Sequence, residues 1–147
     1  MKNPKNKQKP DRQNTSKQNT SKQNTSKQNK VRRQQAFKQG RRAEAYARWV
    51  LCAKRYRLLV KNFRHPLGEV DLILRRGRLL VFVEVKFRAD SDASAYAVSP
   101  AQWRRISAGA RGFVARHPYY ADHVWRFDLF VVAAMGRFQH KKNFWRP

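Results

Sequence analysis

The sequence predicts an α/β domain in which helices pack against a β-sheet, preceded by a basic tail without fixed structure. Three observations lead to this prediction. Apolar residues recur at three- and four-residue spacing up to residue 51, which is typical of an amphipathic helix. Later runs rich in Val, Ile, Leu and Phe are typical of strands. Apart from Met1, no large apolar side chain occurs before Val31. The same elements also allow an α+β arrangement.

Residues 1–35 differ in composition from the rest of the chain. The pentapeptide Gln-Asn-Thr-Ser-Lys occurs three times in tandem, at 13–17, 18–22 and 23–27. Because large apolar side chains are almost absent, burial cannot offset the entropy of ordering, and this segment is predicted to be disordered. Its 11 Lys and Arg against one acid, Asp11, allow two interpretations: a basic arm that adds affinity for nucleic acid, or a solvated linker. The folded domain is expected at 36–147.

The whole chain carries 34 Lys and Arg against nine Asp and Glu, a formal net charge of +25. Such a charge attracts polyanions, and nucleic acids are the commonest, because binding to phosphates releases condensed counterions. An anionic membrane surface is the alternative, but no strongly amphipathic basic helix is apparent. We therefore expect a nucleic acid, DNA first, as the partner, and no membrane association. The sequence leaves a homodimer open.

The cellular compartment is suggested by what the sequence lacks. The N-terminus has charges but no apolar segment typical of a secretory signal. Apolar stretches such as Leu129 to Met135 are too short to span a bilayer. Cys52 is the one cysteine, so no internal disulfide can form, and no Cys/His group has zinc spacing. These features favour a cytoplasmic protein.

The folded part is predicted to contain two helices and four strands. The first helix starts near Ala36 and presents one apolar face, formed by Ala43, Tyr46, Ala47, Val50 and Leu51. The second begins at a capping box, Ser99-Pro100-Ala101-Gln102, and ends before His117-Pro118. The predicted strands are 56–63, 69–74, 79–87 and 124–134, with a turn at 65–68, a hairpin connection at Arg76-Gly77 and a loop at 90–98.

Charged residues cluster on the predicted hairpin. Side chains alternate along a strand, so Glu69 and Asp71 share a face in one strand, and Glu84 and Lys86 share a face in the next. A two-residue turn at Arg76-Gly77 pairs Arg75 with Arg78, Asp71 with Phe82, and Glu69 with Glu84. All four charged side chains then project from the same face. A turn of odd length would separate them.

This concentration of charge is locally unfavourable. Opposed like charges on a sheet repel, and a buried carboxylate without a partner tends to neutralise. Lys86 offsets one charge, and a divalent cation would offset the others, since Mg²⁺ is usually held by one or two carboxylates plus water and phosphate oxygens. Such a metal activates water for phosphodiester cleavage, and a nearby lysine positions it. The cluster predicts metal-dependent nuclease chemistry, with a structural ion-pair network as the alternative.

Several motifs follow one another along the folded part. They are Gly40-x-x-Ala43-Glu44-x-x-Ala47, Asn62-x-Arg64, Gly68-Glu69-Val70-Asp71-Leu72-Ile73, Val81-Phe82-Val83-Glu84-Val85-Lys86-x-Arg88, Arg105-Ile106, Arg126-Phe127-Asp128 and His140-x-x-Asn143. In sequence and order they resemble the YraN-like uncharacterised protein family, over about residues 40–144. That family looks like the restriction-endonuclease-like, PD-(D/E)xK, fold and is similar to archaeal Holliday junction resolvases.

The resemblance implies a fold and a set of roles. It implies a restriction-endonuclease-like mixed sheet flanked by helices. By that resemblance Asp71 and Glu84 would bind Mg²⁺ or Mn²⁺, and Lys86 would be the catalytic lysine. Glu44 would be a further metal ligand from the first helix, although an exposed helix acid is the alternative for it. Glu69 and Arg88 would support the cluster.

Two positions depart from the family pattern. Gln102 stands where a lysine is common, four residues before Ile106. The glycine usual between the first helix and the first strand is absent at Lys54-Arg55. Neither position is expected to touch the carboxylate cluster, although losing the lysine would weaken a phosphate contact.

Other charged residues have separate expected roles. Arginines that share the second helix with apolar positions make a phosphate-facing surface, together with Arg64; they are Arg104, Arg105, Arg111 and Arg116. Asp128 interrupts an apolar strand, which predicts a buried ion pair with an arginine such as Arg126. His65 and His117 precede prolines in turns and have no partners that suggest catalysis.

The sequence therefore supports competing functions. One is a Mg²⁺-dependent endonuclease that hydrolyses phosphodiester bonds in DNA, with branched or damaged DNA as candidate substrates. Another is a non-catalytic nucleic-acid-binding protein that keeps the nuclease-like fold. A third, weaker hypothesis is a basic accessory protein of a ribonucleoprotein assembly.

Overall fold

A computed structural model describes the backbone of residues 14–88 and 98–146, and the side chains of these ranges from residue 28 onward. The chain divides into two units, Met1–Phe37 and Lys38–Pro147. Nearly all of the loop predicted at 90–98 and the first part of the predicted tail lie outside the described residues. In the described ranges, no helix is long and apolar enough to cross a membrane.

The described residues form two α-helices and five strands. Helix α1 spans Asn14–Ala53 and helix α2 spans Pro100–Arg116. The strands are β1 Arg57–His65, β2 Gly68–Arg76, β3 Leu79–Arg88, β4 Val124–Ala133 and β5 Phe138–Trp145. Short 3₁₀ turns at Pro118–Tyr120 and Ala134–Gly136 flank β4.

Helix α1 begins at Asn14, well before the Ala36 that the apolar spacing predicts. The backbone of 14–35 is helical, and no Pro or Gly interrupts residues 11–39. The apolar spacing does predict where the helix packs. The described side chains of 28–39 are exposed, and the first buried one is Ala43.

Helix α1 ends in a Schellman motif. The Tyr56 N–H donates to the Leu51 carbonyl at 3.1 Å, and the Arg55 N–H donates to the Cys52 carbonyl at 2.9 Å. Leu51 and Tyr56 pack in the same core cluster, as this motif favours. Arg55 has φ +64, the left-handed conformation that glycine adopts most easily. The departure at Lys54-Arg55 therefore places an arginine on a strained backbone.

The sheet is mixed and has the order β1-β2-β3-β4-β5. Strands β3 and β4 are parallel and are joined through α2, whereas the other neighbours are antiparallel. This confirms the predicted α/β class, a mixed sheet flanked by helices. The sequence missed β5, because its Gln, His, Lys and Asn residues obscure the apolar alternation of an edge strand that stays largely exposed.

The described residues bury one hydrophobic cluster on each face of the sheet. The α2-side core joins α2 to the sheet through side chains such as Trp103, Phe113 and Phe82. The α1-side core joins the C-terminal part of α1 to the other face through residues such as Leu51 and Phe130. A charged side chain on a central strand therefore enters an apolar core, on whichever face it projects. The exception is a place where two neighbouring strands separate.

Helix α2 begins where the sequence predicts. Ser99 is the N-cap, and its hydroxyl accepts a hydrogen bond from the Gln102 N–H at 3.2 Å. The helix lies very close to β2, since a Cβ added at Gly68 would stand 1.8 Å from the Arg105 carbonyl oxygen. Only glycine fits at this contact, which fixes α2 over the start of β2.

Replacing Gly68 with alanine is expected to lower the free energy of unfolding by about 3 kcal/mol or more, because the methyl group must displace the backbone of α2. Urea denaturation measures the change. Gly40→Ala is the matched control: a Cβ there meets nothing within 4 Å, so a gain of up to about 1 kcal/mol is expected from helix propensity. Equal effects of the two variants would contradict the tight contact.

Candidate active site

The β2–β3 hairpin turns at Gly77-Arg78 rather than at Arg76-Gly77. Gly77 has φ +59, a conformation that glycine adopts without strain. Ile73 pairs with Phe82, so the predicted register was wrong by two residues. An even shift keeps the faces. Continuing the observed pairs by one residue places Asp71, rather than Glu69, opposite Glu84.

The strands β2 and β3 separate next to Asp71. Their pairing ends at Leu72 and Val83, beyond which β2 stays paired with β1, and β3 with β4. The Asp71 Oδ2 atom accepts a hydrogen bond from the Val85 N–H at 2.8 Å. A side-chain carboxylate thus replaces the missing backbone acceptor. We call this opening between residues 68–71 and 84–88 the strand fork.

The side-chain alternation of β2 is interrupted at the strand fork. Strict alternation predicts Val70 and Leu72 on one face, but Val70 joins Ile73 in the α2-side core while Leu72 lies in the α1-side core. Asp71 stands between them, at the change of face. This explains how it interacts with Glu44 on helix α1 as well as with Glu84.

Glu84 is buried beneath helix α2, with 5% of its surface exposed. Its Oε1 atom lies 2.6 Å from the Lys86 Nζ and accepts a hydrogen bond from the Gln102 Nε2 at 2.6 Å. The prediction that Gln102 would not touch the cluster was therefore wrong. Glutamine four residues before Ile106 is long enough to reach from the first turn of α2 to the carboxylate.

The two carboxyl groups of the fork have raised pKa values. Burial and the negative charge of Glu84 raise the pKa of Asp71 to about 7, and Glu44 adds to the effect. Burial also raises the pKa of Glu84, against the opposing influence of Lys86, and Glu69 raises it further. Glu44 and Glu69 thus act on the Asp71–Glu84 pair from two sides.

Glu69 stands at the outer edge of this place. The Arg105 Nη2 lies 3.3 Å from the Glu69 Oε1, and both side chains are mostly exposed. They line a pocket of about 250 Å³ whose other walls are Glu84, Ser99, Ala101, Gln102 and Ile106. An exposed ion pair of this kind contributes about 0–1 kcal/mol, so it breaks easily and does not close the pocket.

The predicted basic residues lie on β1, β3 and α2. Arg64 is exposed and lies opposite Glu69 in the register of β1 and β2. Arg88 ends β3, on the same strand as Lys86, and donates to the Phe87 carbonyl at 3.1 Å. The helix α2 arginines are exposed and project toward solvent: Arg104, Arg105, Arg111 and Arg116. Of these, Arg105 contacts an acid of the cluster.

Known sequences identify the family of this chain. Residues 43–132 match the model of the uncharacterised protein family UPF0102. The chain belongs to this family. It is 45% identical to a UPF0102 protein of Bradyrhizobium diazoefficiens and 46% identical to one of Rhodopseudomonas palustris BisB18, each covering 74% of this chain and 81% or 80% of the relative. A UPF0102 protein of Parvibaculum lavamentivorans is 40% identical over 76% of this chain and 84% of the relative. The resemblance to the YraN-like family is confirmed.

The later motifs of the UPF0102 chain meet in a second buried cluster. Asp128 is fully buried, and its carboxylate accepts hydrogen bonds from Arg126 at 2.7 and 2.8 Å, from the Asn143 N–H at 2.9 Å, and bonds to the His140 Nε2 at 2.8 Å. Burial alone would raise the Asp128 pKa, but these bonds hold it below its ordinary value. The predicted ion pair with Arg126 is confirmed, and His140 joins it through the unpredicted β5.

The residues of the fork fit a divalent cation held by few protein ligands. Among the described residues, no group of three or more His, Cys, Asp and Glu side chains is arranged to hold a metal. The ligand set Asp71, Glu84 and Glu44 is thus not assembled as such. Two neighbouring carboxyl groups are enough for a Mg²⁺ site completed by water and phosphate oxygens, because that ion keeps several waters. A cation there would favour the ionised forms of Asp71 and Glu84, which burial disfavours.

The stability of the metal-free protein is expected to fall as pH rises from about 4 to about 7. The pKa of Asp71 is higher in the folded than in the unfolded state, so within this window the unfolded state ionises first and gains stability relative to the folded one; above about 7 both states are ionised and the loss is complete. Asp71→Asn should remove roughly 2–4 kcal/mol of this pH dependence, at ~1.4 kcal/mol per pKa unit. Urea denaturation in EDTA at several pH values measures it, with the exposed Asp122→Asn as control. Identical pH profiles of wild type and Asp71→Asn would contradict the raised pKa.

Proposed function

We propose that this UPF0102 protein is a metal-dependent endonuclease that hydrolyses phosphodiester bonds in DNA. The strand fork carries the proposal: Asp71 and Glu84 lie together there, and the Lys86 Nζ stands 2.6 Å from the Glu84 Oε1. Two acids and a lysine at one opening of a sheet suit the cleavage of a phosphodiester, which needs a cation, a positioned water and a stabilised leaving oxygen.

The fork residues have distinct proposed roles. Asp71 and Glu84 would hold Mg²⁺ or Mn²⁺, and Glu44 lies near enough to influence Asp71 from the α1 side. When bound, the metal would supply an activated water and polarise the phosphoryl group. The Lys86 ammonium, oriented by Glu84, would donate a hydrogen bond to the attacking water or to a phosphoryl oxygen. Gln102 would hold Glu84 in place from helix α2.

The nucleic acid would approach across the open side of the fork. The net charge of +25 favours any polyanion, and exposed arginines lie on the elements that border the fork, on β1 and on α2. Arg64, Arg104, Arg105 and Arg111 are the proposed phosphate contacts. Branched or damaged DNA is the proposed substrate class, by the resemblance to junction resolvases.

A non-catalytic nucleic-acid-binding protein is the second candidate. Two observations favour it: the described residues hold no three-ligand metal group, and the Lys86 ammonium is already engaged by Glu84. In that case binding would fall steeply with salt, and no strand would be cut.

A cleavage panel separates the two functions. Purified protein is incubated with linear duplex, single-stranded and four-way-branched DNA, and with RNA, in Mg²⁺, in Mn²⁺ or in EDTA. Cleavage of at least one DNA in the presence of metal and none in EDTA is expected. If all substrates stay intact while salt-sensitive binding persists, the endonuclease proposal fails and the binding protein remains.

A further inference from the structure

A second cluster of cations lies at the other end of strand β2. It lines an open pocket of about 420 Å³ beside the C-terminus of helix α1. We call it the basic pocket; its walls are Ala53, Lys54, Arg55, Tyr56, Arg76 and Lys142. It shares no residue with the strand fork or with the predicted phosphate contacts.

The four cations of the basic pocket have no acidic partner among the described residues. The described acids in ion pairs are Glu69, Glu84 and Asp128, and their partners lie elsewhere. Aromatic rings face two of the cations instead: Lys54 stands 5.2 Å from the Phe138 ring centre, and Arg76 stands 5.7 Å from that of Tyr56. Four like charges around one opening repel each other, and an anion between them would relieve the repulsion.

Tyr56 lines the pocket, and its pKa reflects the positive charges nearby. Its hydroxyl oxygen accepts a hydrogen bond from the Arg126 Nη2 at 3.0 Å. Burial alone would raise the Tyr56 pKa, yet Arg126 and Lys142 bring it below its ordinary value of 10.0 by stabilising the phenolate. A group that enters here meets an environment that already favours negative charge.

Arg55 gives the pocket a cation at a cost to the backbone. It occupies the left-handed position of the Schellman motif, where glycine would be unstrained. The Arg55 side chain is exposed, so its burial does not offset this strain. Its guanidinium adds a fourth cation to the walls of the pocket.

We propose that the basic pocket is a phosphate-binding site that takes a backbone phosphate of the nucleic acid, separate from the strand fork. Arg76 is five residues from Asp71 on the same strand, about 17 Å at ~3.3 Å per residue. A duplex with one phosphate per ~3.4 Å of each strand covers that length in about five base pairs. The inference rests on the proposed nucleic-acid partner but not on cleavage.

Two triple variants with equal charge loss test the site. The pocket variant combines Lys54→Gln, Arg76→Gln and Lys142→Gln; the control combines Arg48→Gln, Lys61→Gln and Arg137→Gln, three exposed cations outside the pocket. Affinity for a fluorescent 20-base-pair duplex is measured in EDTA from 50 to 200 mM salt. The pocket variant should bind at least fivefold more weakly than the control, with a salt slope lower by about 0.9 for each lost phosphate contact. Equal losses in both would mean a diffuse field and would overturn the site.

Pyrophosphate provides a second readout that does not involve DNA. In EDTA it should raise the Tm of the wild type and of the control variant, but not that of the pocket variant, because a ligand stabilises the state that binds it. Equal protection of all three proteins would overturn the site. Protection that needs the pocket, combined with equal DNA affinity of the two triple variants, would assign the pocket to a free phosphate compound and overturn the nucleic-acid contact.

Arg55→Gly separates binding from folding. Glycine relieves the left-handed backbone, so the Tm should rise while DNA affinity falls twofold or more. The matched variant is Arg55→Asn, because asparagine also tolerates the left-handed conformation. Unchanged affinity in both variants would contradict the role of Arg55. Because the fork is intact in all these proteins, the cleavage panel and the pocket experiments fail independently.

Discussion

Replacing Lys86 with methionine is expected to lower the rate of metal-dependent DNA cleavage at least 100-fold. The ammonium is the positive group held at the fork, and removing one electrostatic donor from a reacting centre typically costs about 10²–10³ in rate. Methionine keeps the apolar stem of a side chain that is 20% exposed, so the packing around that stem should survive. The buried Glu84 loses its cation, and its pKa is expected to rise further. Initial rates on the best DNA of the panel measure the effect.

The controls for Lys86→Met address binding and folding. Affinity for the same DNA in EDTA should change less than twofold, because one charge of a highly basic chain is removed. Lys61→Met, an exposed lysine on β1, should cleave at the wild-type rate. If Lys86→Met cuts as fast as Lys61→Met, the lysine has no part in catalysis and the proposed arrangement of the fork is wrong.

Replacing Asp128 with alanine is expected to lower the free energy of unfolding by about 3–5 kcal/mol, the usual cost of breaking a buried ion pair by removing one partner. The substitution leaves the Arg126 guanidinium, 18% exposed, and the His140 ring, 3% exposed, without their carboxylate. It also removes one of the bonds between β4 and β5, from the Asn143 N–H to the Asp128 carboxylate. Urea denaturation monitored by circular dichroism gives the value.

Asp122→Ala is the matched control for Asp128→Ala, since Asp122 is exposed and a surface substitution usually changes stability by less than about 0.5 kcal/mol. Asp128→Ala should also lose the acid sensitivity that Asp128 confers. The lowered pKa means that its contribution is present above the unfolded pKa and is lost as pH falls through the folded one. A loss below about 1 kcal/mol would show that the cluster does not hold the β4–β5 edge.

The sequence predicts much of the site because strand parity and local capping are short-range. Glu84 and Lys86 share a strand face whatever the register. Ser99 caps α2 by accepting a hydrogen bond from the N–H of Gln102, three residues away. The register error at Arg76-Gly77 was even, so the error itself moved no side chain to the other face. The Asp128 ion pair could be predicted because Arg126 lies two residues away on the same strand.

Features that depend on distant parts of the chain could not be predicted in this way. The contact of Gln102 with Glu84 joins residues 18 apart across a helix and a strand. The strand fork depends on where β2 leaves β3, and alternation alone gives no sign that Val70 and Leu72 face opposite cores. His140 reaches Asp128 on an edge strand whose polar residues resemble a loop.

The hydrogen bond from the Val85 N–H to the Asp71 Oδ2 means that Asp71 has both a structural role and a proposed chemical role, and one substitution can remove the second alone. Asparagine at position 71 keeps a carbonyl oxygen that can accept the same bond, so the two strands stay joined, but it loses the charge that a cation requires. On the proposed function, such a protein would bind its nucleic acid without cutting it. Expressed in cells with an affinity tag, the Asp71→Asn variant becomes a substrate trap, and the DNA structures it retains would identify what the intact protein acts on.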